Sequence, residues 1–344
     1  MSSARAALVK DVLAEYSDLV RLRLRERLQE RTLSEDLREL AAEYPARGGR
    51  TLRAGLCLAT AQAFGCSAED GLESAVSIEL LHNAFLVHDD IEDESEHRRG
   101  LATLHRLHGV AAALNAGDAL MVLGLQPLLE NCGTLGPRLG LRILREVQTM
   151  ARETVEGQAL ELAWRRHNRT DLVPADYLRM VFKKTCWYTT IYPCRVGAII
   201  GSRDEIGRDG YVAFGFFLGA AFQIQDDLLN LIGESRLYGK EINGDLLEGK
   251  RTLMLIHLLQ SAAPRVRKKV ERFLALPRGV RTSRQVTWLR AALFDHGSIH
   301  YAREMAHAFA GAAQHECERA FGKLPATRQR AFLEALPAWM IERA

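Results

Sequence analysis

The sequence has no closely spaced cysteine pair, few aromatics, no long apolar run and no large excess of charge of either sign. Its six cysteines, Cys57, Cys66, Cys132, Cys186, Cys194 and Cys317, show no C-x-x-C spacing. That argues against a zinc site or a disulfide framework and fits a reducing cytoplasm. Aromatics make up 7% of 344 residues and the formal net charge is +3. A nucleic-acid binder normally needs a strongly basic face interleaved with aromatics, so none is expected. The most basic stretch, 265–284, mixes Arg and Lys with Val266, Val270, Phe273 and Leu274 at helical spacing, the pattern of a solvated helix face. The longest apolar run, Tyr211 to Phe222, is interrupted by Gly215 and Gly219 and falls short of the roughly 20 residues of a membrane span. It is expected to form a buried helix. The first thirty residues alternate charge with Leu and Val and lack a central apolar stretch, so no signal peptide is expected.

What the chain has instead is aliphatic material and helical periodicity. Hydrophobic residues are 47% of the total, enough for a sizeable core. The 3.6-residue period dominates and no run of alternating β-branched residues stands out, which predicts an all-α fold. Breaks at Pro45 to Gly49, Gly65 to Ser67, Gly133 to Pro137, Asn168 to Pro174, Ser202 to Gly210, Glu241 to Gly244, Pro264, Pro277 to Gly279 and Leu324-Pro325 predict roughly ten or more helices. No linker or repeat divides the chain, so residues 1–344 are expected to form one domain.

Two acidic helix segments carry the chemistry. Ser67-Ala68-Glu69-Asp70 reads as a capping box that opens a helix. That helix runs through Leu80, Leu81 and Phe85 into His88-Asp89-Asp90-Ile91-Glu92-Asp93. At 100° per residue Asp89 and Asp93 share a face, with Asp90 beside them. With the helix ending near Gly100, these acids sit toward its negative pole, where stability alone would not place them. A hard divalent cation would offset that cost. A second acidic element, Phe222-Gln223-Ile224-Gln225-Asp226-Asp227-Leu228-Leu229-Asn230, follows the apolar run, and Asp226 and Asn230 again share a face. Burying two such elements requires cations between them or a cavity at whose mouth they lie. Basic groups flank both: Arg98-Arg99-Gly100, Gly239-Lys240, Gly249-Lys250-Arg251, and upstream Gly48-Gly49-Arg50-Thr51-Leu52-Arg53. In the last of these, two glycines at a helix start suit a phosphate.

In this order, over about residues 44–252, these motifs resemble the trans-isoprenyl diphosphate synthases, the polyprenyl synthetase family that includes farnesyl and geranylgeranyl diphosphate synthases. Asn115-Ala116-Gly117-Asp118, Glu156-Gly157-Gln158 and Lys184-Thr185 belong to the same likeness. The resemblance implies a helical bundle around a central cavity, of the class I isoprenoid synthase type, and a homodimer. It implies that Asp89, Asp93 and Asp226 bind Mg²⁺, usually three ions, with Asp90 and Asp227 as further ligands or supports. Arg98, Lys184 and Lys240 would then hold the allylic diphosphate. Arg50, Arg53, His82 and Arg99 would receive isopentenyl diphosphate.

Ionisation of the allylic C–O bond leaves a carbocation that Thr185 and Gln223 can face with oxygens, and no protein nucleophile is required. Phe85, one turn (5.4 Å) below Asp89, can close the tail pocket. Ala84 stands where many farnesyl-making relatives have another aromatic, so a C20 product is expected over C15. Several positions depart from the family pattern: Arg50 for Lys, Asn230 for the final acid, Cys186-Trp187-Tyr188 for a Gly after Lys-Thr, and Ala102 for Pro.

Three other readings fit the sequence less well. A class I terpene cyclase would need N-x-x-x-S-x-x-x-E, and from Asn230 the chain offers Glu234 and Tyr238. An HD-type phosphohydrolase would need His82 and His88 together, yet they lie about 120° apart on a helix. A non-catalytic partner subunit would not need both phosphate-binding sets.

Overall fold

The computed structural model describes residues 3–30, 33–205, 207, 209–233 and 242–342. The described residues are almost entirely helical, as the periodicity requires. In chain order the helices are α1 (Ser3–Gln29), α2 (Glu35–Ala46), α3 (Leu52–Ala63), α4 (Ala68–Glu92), α5 (Leu104–His108), α6 (Val110–Thr134), α7 (Pro137–Arg166) and α8 (Pro174–Val181). A π-helical segment, Phe182–Ile191, continues α8 into α9 (Tyr192–Gly201) and is followed by α10 (Asp209–Ile232). Then come α11 (Gly244–Glu248), α12 (Leu253–Ser261), α13 (Pro264–Leu274), a 3₁₀ turn at Arg278–Val280, α14 (Ser283–Asp295), α15 (Ser298–Phe321) and α16 (Arg328–Glu342). The number exceeds ten because the short helices α5 and α11 end at Gly109 and Gly249, both at positive φ. Isolated glycines of that kind do not register as breaks.

α4 is the axis of the bundle. Its start is the expected capping box, with Ser67 Oγ accepting from Asp70 N at 3.3 Å and Ser67 N donating to Asp70 Oδ2 at 2.9 Å. Every residue from Gly71 to Ala84 is buried, and α3 and α6 pack along it. Each fully buried aliphatic side chain here contributes about 1.5–3 kcal/mol. α10 is the second axis and lies between α15 and the π segment. Gly215 and Gly219 make that approach possible: a Cβ on Gly215 would sit 2.8 Å from the Ile191 Cα, and one on Gly219 would sit 2.8 Å from Cys186 Sγ. α6 and α10 are each long and apolar enough to cross a bilayer by length and composition. α10 packs inside the bundle, whereas α6 leaves Val110, Leu114, Val122, Leu125 and Leu129 exposed along one face.

α4 ends earlier than expected. Glu92 is its last residue and Asp93 is its cap, because Glu94 at φ 53° cannot continue a helix. The chain then forms a two-stranded hairpin pairing His97–Arg98 with Leu101–Ala102. Its two-residue turn, Arg99 (φ 54°) and Gly100 (φ 78°), has positive φ at both positions, as a tight hairpin turn requires.

Candidate active site

The acidic end of α4 meets basic groups from four other elements. Lys184, on the π segment, places Nζ 3.1 Å from Asp89 Oδ1 and also bonds Glu161 of α7. Its neighbour on α7 is Gly157, where a Cβ would fall 2.2 Å from the Lys184 nitrogen. The glycine of Glu156-Gly157-Gln158 therefore lets α7 press the lysine toward Asp89. Asp93 is almost fully buried; Arg165 Nη2 lies 2.8 Å from its Oδ1 and Lys250 Nζ lies 2.9 Å from its Oδ2. Lys250 also sits 2.9 Å from Glu248 and 3.7 Å from Asp245. From the 3₁₀ turn, Arg278 donates to the Asp93 carbonyl at 3.0 Å and lies 3.3 Å from Glu248.

The two aspartates that follow each leading acid do different work. Asp90 is 1% exposed, turned away from Lys184. It accepts Arg98 Nε at 3.1 and 3.0 Å and Tyr44 OH at 2.7 Å. Asp90 therefore anchors Arg98, whose Nη2 is 3.7 Å from Asp89. Asp227 is likewise buried and accepts Tyr177 OH at 2.8 Å and Gln223 Nε2 at 2.7 Å. Gln223 in turn accepts Thr185 Oγ1 at 2.8 Å. Asp227 thus fixes the amide that holds Thr185, next to Lys184, while Asp226 is half-buried on the same helix. Asn230 is buried, and its Oδ1 accepts the Asp245 N–H at 3.1 Å. The amide therefore secures the return of the chain to Lys250.

Among the described residues, carboxylates outnumber cations around this cage. Burial, and then Asp245, push Asp227 up to about 8. Burial raises Glu248 to about 7 against the pull of Lys250, and burial also raises Glu92. For Lys184, burial opposes the charge but Asp89 and Glu161 outweigh it, so its pKa is raised. Asp93 Oδ1 and Glu248 Oε2 are buried and, among the described residues, accept no aligned hydrogen bond, although cations lie within ion-pair distance. A hard oxygen-donor set with surplus negative charge fits Mg²⁺. Among the described residues, no three His, Cys, Asp or Glu side chains are grouped so as to hold a metal ion by themselves. The donor set therefore suits an ion that completes its shell with phosphate oxygens and water.

A second, oppositely charged cluster lies beside it. Arg53 donates to Tyr188 OH at 2.7 Å and Thr189 Oγ1 at 3.0 Å, and lies 3.3 Å from His82 Nε2. Arg99 donates to the Tyr44 carbonyl at 3.2 Å and crowds Gly49, where a Cβ would sit 2.9 Å from its Nη2. The Arg50 guanidinium lies 5.8 Å from the Trp339 ring centroid. Glu79, buried one turn before His82, faces these arginines. Burial raises its pKa, and Arg53 and Arg99 pull it back.

Between the clusters, Phe85 meets Tyr188 edge-on with ring centroids 5.7 Å apart. Ala84 does not share that wall: it is completely buried in the apolar cluster with Ala116 and Leu120, whereas Phe85 packs against the other cluster. Adjacent residues differ by 100°, and α6 takes the Ala84 side. His88 lies over Gly117, where a Cβ would be 2.3 Å from its Nε2, and 3.4 Å from Asp118. His82 and His88 thus serve separate neighbours, which removes the paired-histidine arrangement. Lys240 lies outside the described residues.

Motif reading alone gave no role to Glu161, Arg165, Tyr177 or Arg278. One signal existed for Glu161: it interrupts the apolar stripe Ile143, Val147, Met150, Thr154, Gly157 and Trp164 at a core position, and all of these are buried.

Residues 34–289 match the polyprenyl synthetase family. The chain is 31% identical over 339 residues to the geranylgeranyl pyrophosphate synthase of Geoglobus acetivorans, covering 98% of this chain and 99% of that protein. Its structure is similar to that of geranylgeranyl pyrophosphate synthetase from Pyrococcus horikoshii, with TM-score 0.83, 31% identity and coverage of 97% and 99%. It is also similar to geranylgeranyl pyrophosphate synthase from Corynebacterium glutamicum complexed with isoprenyl diphosphate and magnesium. That match has TM-score 0.86, 25% identity and coverage of 96% and 99%.

Proposed function

The chain belongs to the polyprenyl synthetase family, and on that premise we propose that it is a short-chain isoprenyl diphosphate synthase whose product is geranylgeranyl diphosphate. Its substrates are isopentenyl diphosphate and an allylic diphosphate, either dimethylallyl, geranyl or farnesyl. The observation that carries the reading is the adjacency of two clusters of opposite sign. The carboxylate and lysine cage around Asp89 and Asp93 borders the arginine cluster around Gly49, and the Thr185–Gln223 pair lies beside the cage.

In this reading Asp89, Asp93 and Asp226 hold Mg²⁺, and the bound ions supply charge neutralisation for the allylic diphosphate. Lys184 and Arg98 meet the same diphosphate and stabilise the negative charge that grows on it as the C–O bond breaks. The oxygens of Thr185 and Gln223 face the allylic cation. Phe85 and Tyr188 keep water from it. Arg50, Arg53, Arg99 and His82 hold isopentenyl diphosphate so that its double bond attacks the cation; the proton lost afterwards passes to the departing diphosphate. Phe85 floors the tail pocket.

The exposed apolar face of α6, Val110 to Leu129, is too continuous for a solvated helix, and it supports assembly as a homodimer. Both core clusters draw residues from α4 and from α10, which supports one domain over 1–344. Six free thiols suit the cytoplasm. The test is incubation with Mg²⁺, isopentenyl diphosphate and each allylic primer in turn, followed by mass spectrometry. A C20 diphosphate supports the reading, and no elongation with any primer refutes it.

A further inference from the structure

The arginine cluster contains one member that belongs to none of the motifs. Arg21, in the middle of α1, donates from Nη2 to the Gly49 carbonyl at 2.6 Å. A Cβ on Gly48 would sit 3.1 Å from that same nitrogen. One turn earlier on the same face of α1, Ser17 Oγ lies 3.0 Å from Thr51 Oγ1. Two contacts a turn apart thus clamp α1 onto the loop Gly48-Gly49-Arg50-Thr51. That loop needs a clamp, because Thr51 is a β-branched residue at φ 50°, a conformation such residues rarely adopt without support.

The charge around the loop is unbalanced. Arg53, Arg99 and Arg21 all act on a single buried carboxylate, Glu79. Arg99 is pushed down to about 10, first by burial, with Arg98, Arg53 and Arg21 adding against the pull of Glu79. Arg53 Nε is buried without a hydrogen-bond partner among the described residues. Three guanidiniums around one carboxylate, at a glycine pair before a helix start, form a receptor for a multiply charged anion. Such an anion would relieve the excess.

We infer that Arg21 of α1 is a further binding residue for the diphosphate of isopentenyl diphosphate, which makes the N-terminal helix part of that site. The inference rests on the function proposed above and assigns a new residue within it. Arg21→Gln removes the charge while keeping a polar N–H donor at the position, and Arg21→Lys keeps the charge. Binding of isopentenyl diphosphate to the full-length enzyme is measured by calorimetry, and KM is measured for both substrates. Losing a charge-assisted contact should weaken isopentenyl diphosphate in Arg21→Gln on the order of tenfold or more. The allylic KM and the melting temperature should be little changed, and Arg21→Lys should recover part of the affinity. Wild-type affinity in Arg21→Gln would show that Arg21 only holds the loop, and would overturn the inference. So would equal losses for both substrates or a lowered melting temperature. Arg53→Gln is the control: if it too leaves isopentenyl diphosphate binding intact, the assignment of the whole cluster falls.

Discussion

Replacing Asp90 by Asn separates two roles that its neighbour Asp89 might be thought to share. Asp90 is 1% exposed and balances Arg98, which is 6% exposed, through paired contacts from Nε and a further bond from Nη2. The Asn is isosteric, so no cavity opens, but Arg98 keeps its charge in a buried position, with Asp89 at 3.7 Å its remaining ion-pair partner among the described residues. Breaking one partner of a buried pair costs about 3–5 kcal/mol. Against a total stability of about 5–15 kcal/mol, the loss should be plain in a urea denaturation series run in EDTA. Asp89→Asn removes a carboxylate whose side chain is 23% exposed and whose partners have alternatives, such as Glu161 for Lys184. Its stability should change by about 1 kcal/mol or less, while kcat falls on the order of 10²- to 10³-fold. The Mg²⁺ concentration for half-maximal activity should rise in Asp89→Asn and stay near wild type in Asp90→Asn. An Asp90→Asn protein as stable as wild type, with a raised Mg²⁺ requirement, would refute the argument and return Asp90 to the metal.

Phe85→Ala removes the ring that meets Tyr188 at 5.7 Å and should lengthen the product by at least one isoprene unit; unchanged products by mass spectrometry would move the floor elsewhere. Asp227 titrates at 3.8 in a solvated chain and at about 8 in the fold, so the folded protein holds more protons across that interval. In EDTA, stability should therefore fall as pH rises from about 4 to 8, and Mg²⁺ with pyrophosphate should flatten the decline; a metal-free protein more stable at pH 8 than at pH 5 would contradict this. Cys57, Cys186, Cys194 and Cys317 are buried and Cys66 and Cys132 half-buried, and burial raises Cys194 to about 12. Ellman's reagent should then titrate at most two of the six thiols quickly in the native protein and all six in denaturant. Val122→Glu, at a position 67% exposed on α6, should halve the mass measured by light scattering without loss of helicity; an unaltered mass would exclude this face as the dimer contact.

The sequence by itself determined the all-α class, the capping box at Ser67, the two acidic helix ends and the order of the basic motifs around them. All of these follow from spacing within one helix or one turn, where 100° per residue sets the relation between neighbours. It also contained the glycines that let the scaffold close, Gly157 under Lys184 and Gly215 against Ile191, though not what each would touch. Only tertiary structure turned the second of each two adjacent acids toward a buried tyrosine. Asp90 is turned to Arg98 and Tyr44, 46 residues from Tyr44, and Asp227 to Tyr177, 50 residues away. The same holds for Ala84, claimed by α6, and for Arg21, which reaches Gly49 across 28 residues. A helix specifies the angle between its side chains but not the direction in which the set points, and that direction is fixed only when neighbouring helices bury one face and leave the other to the cavity.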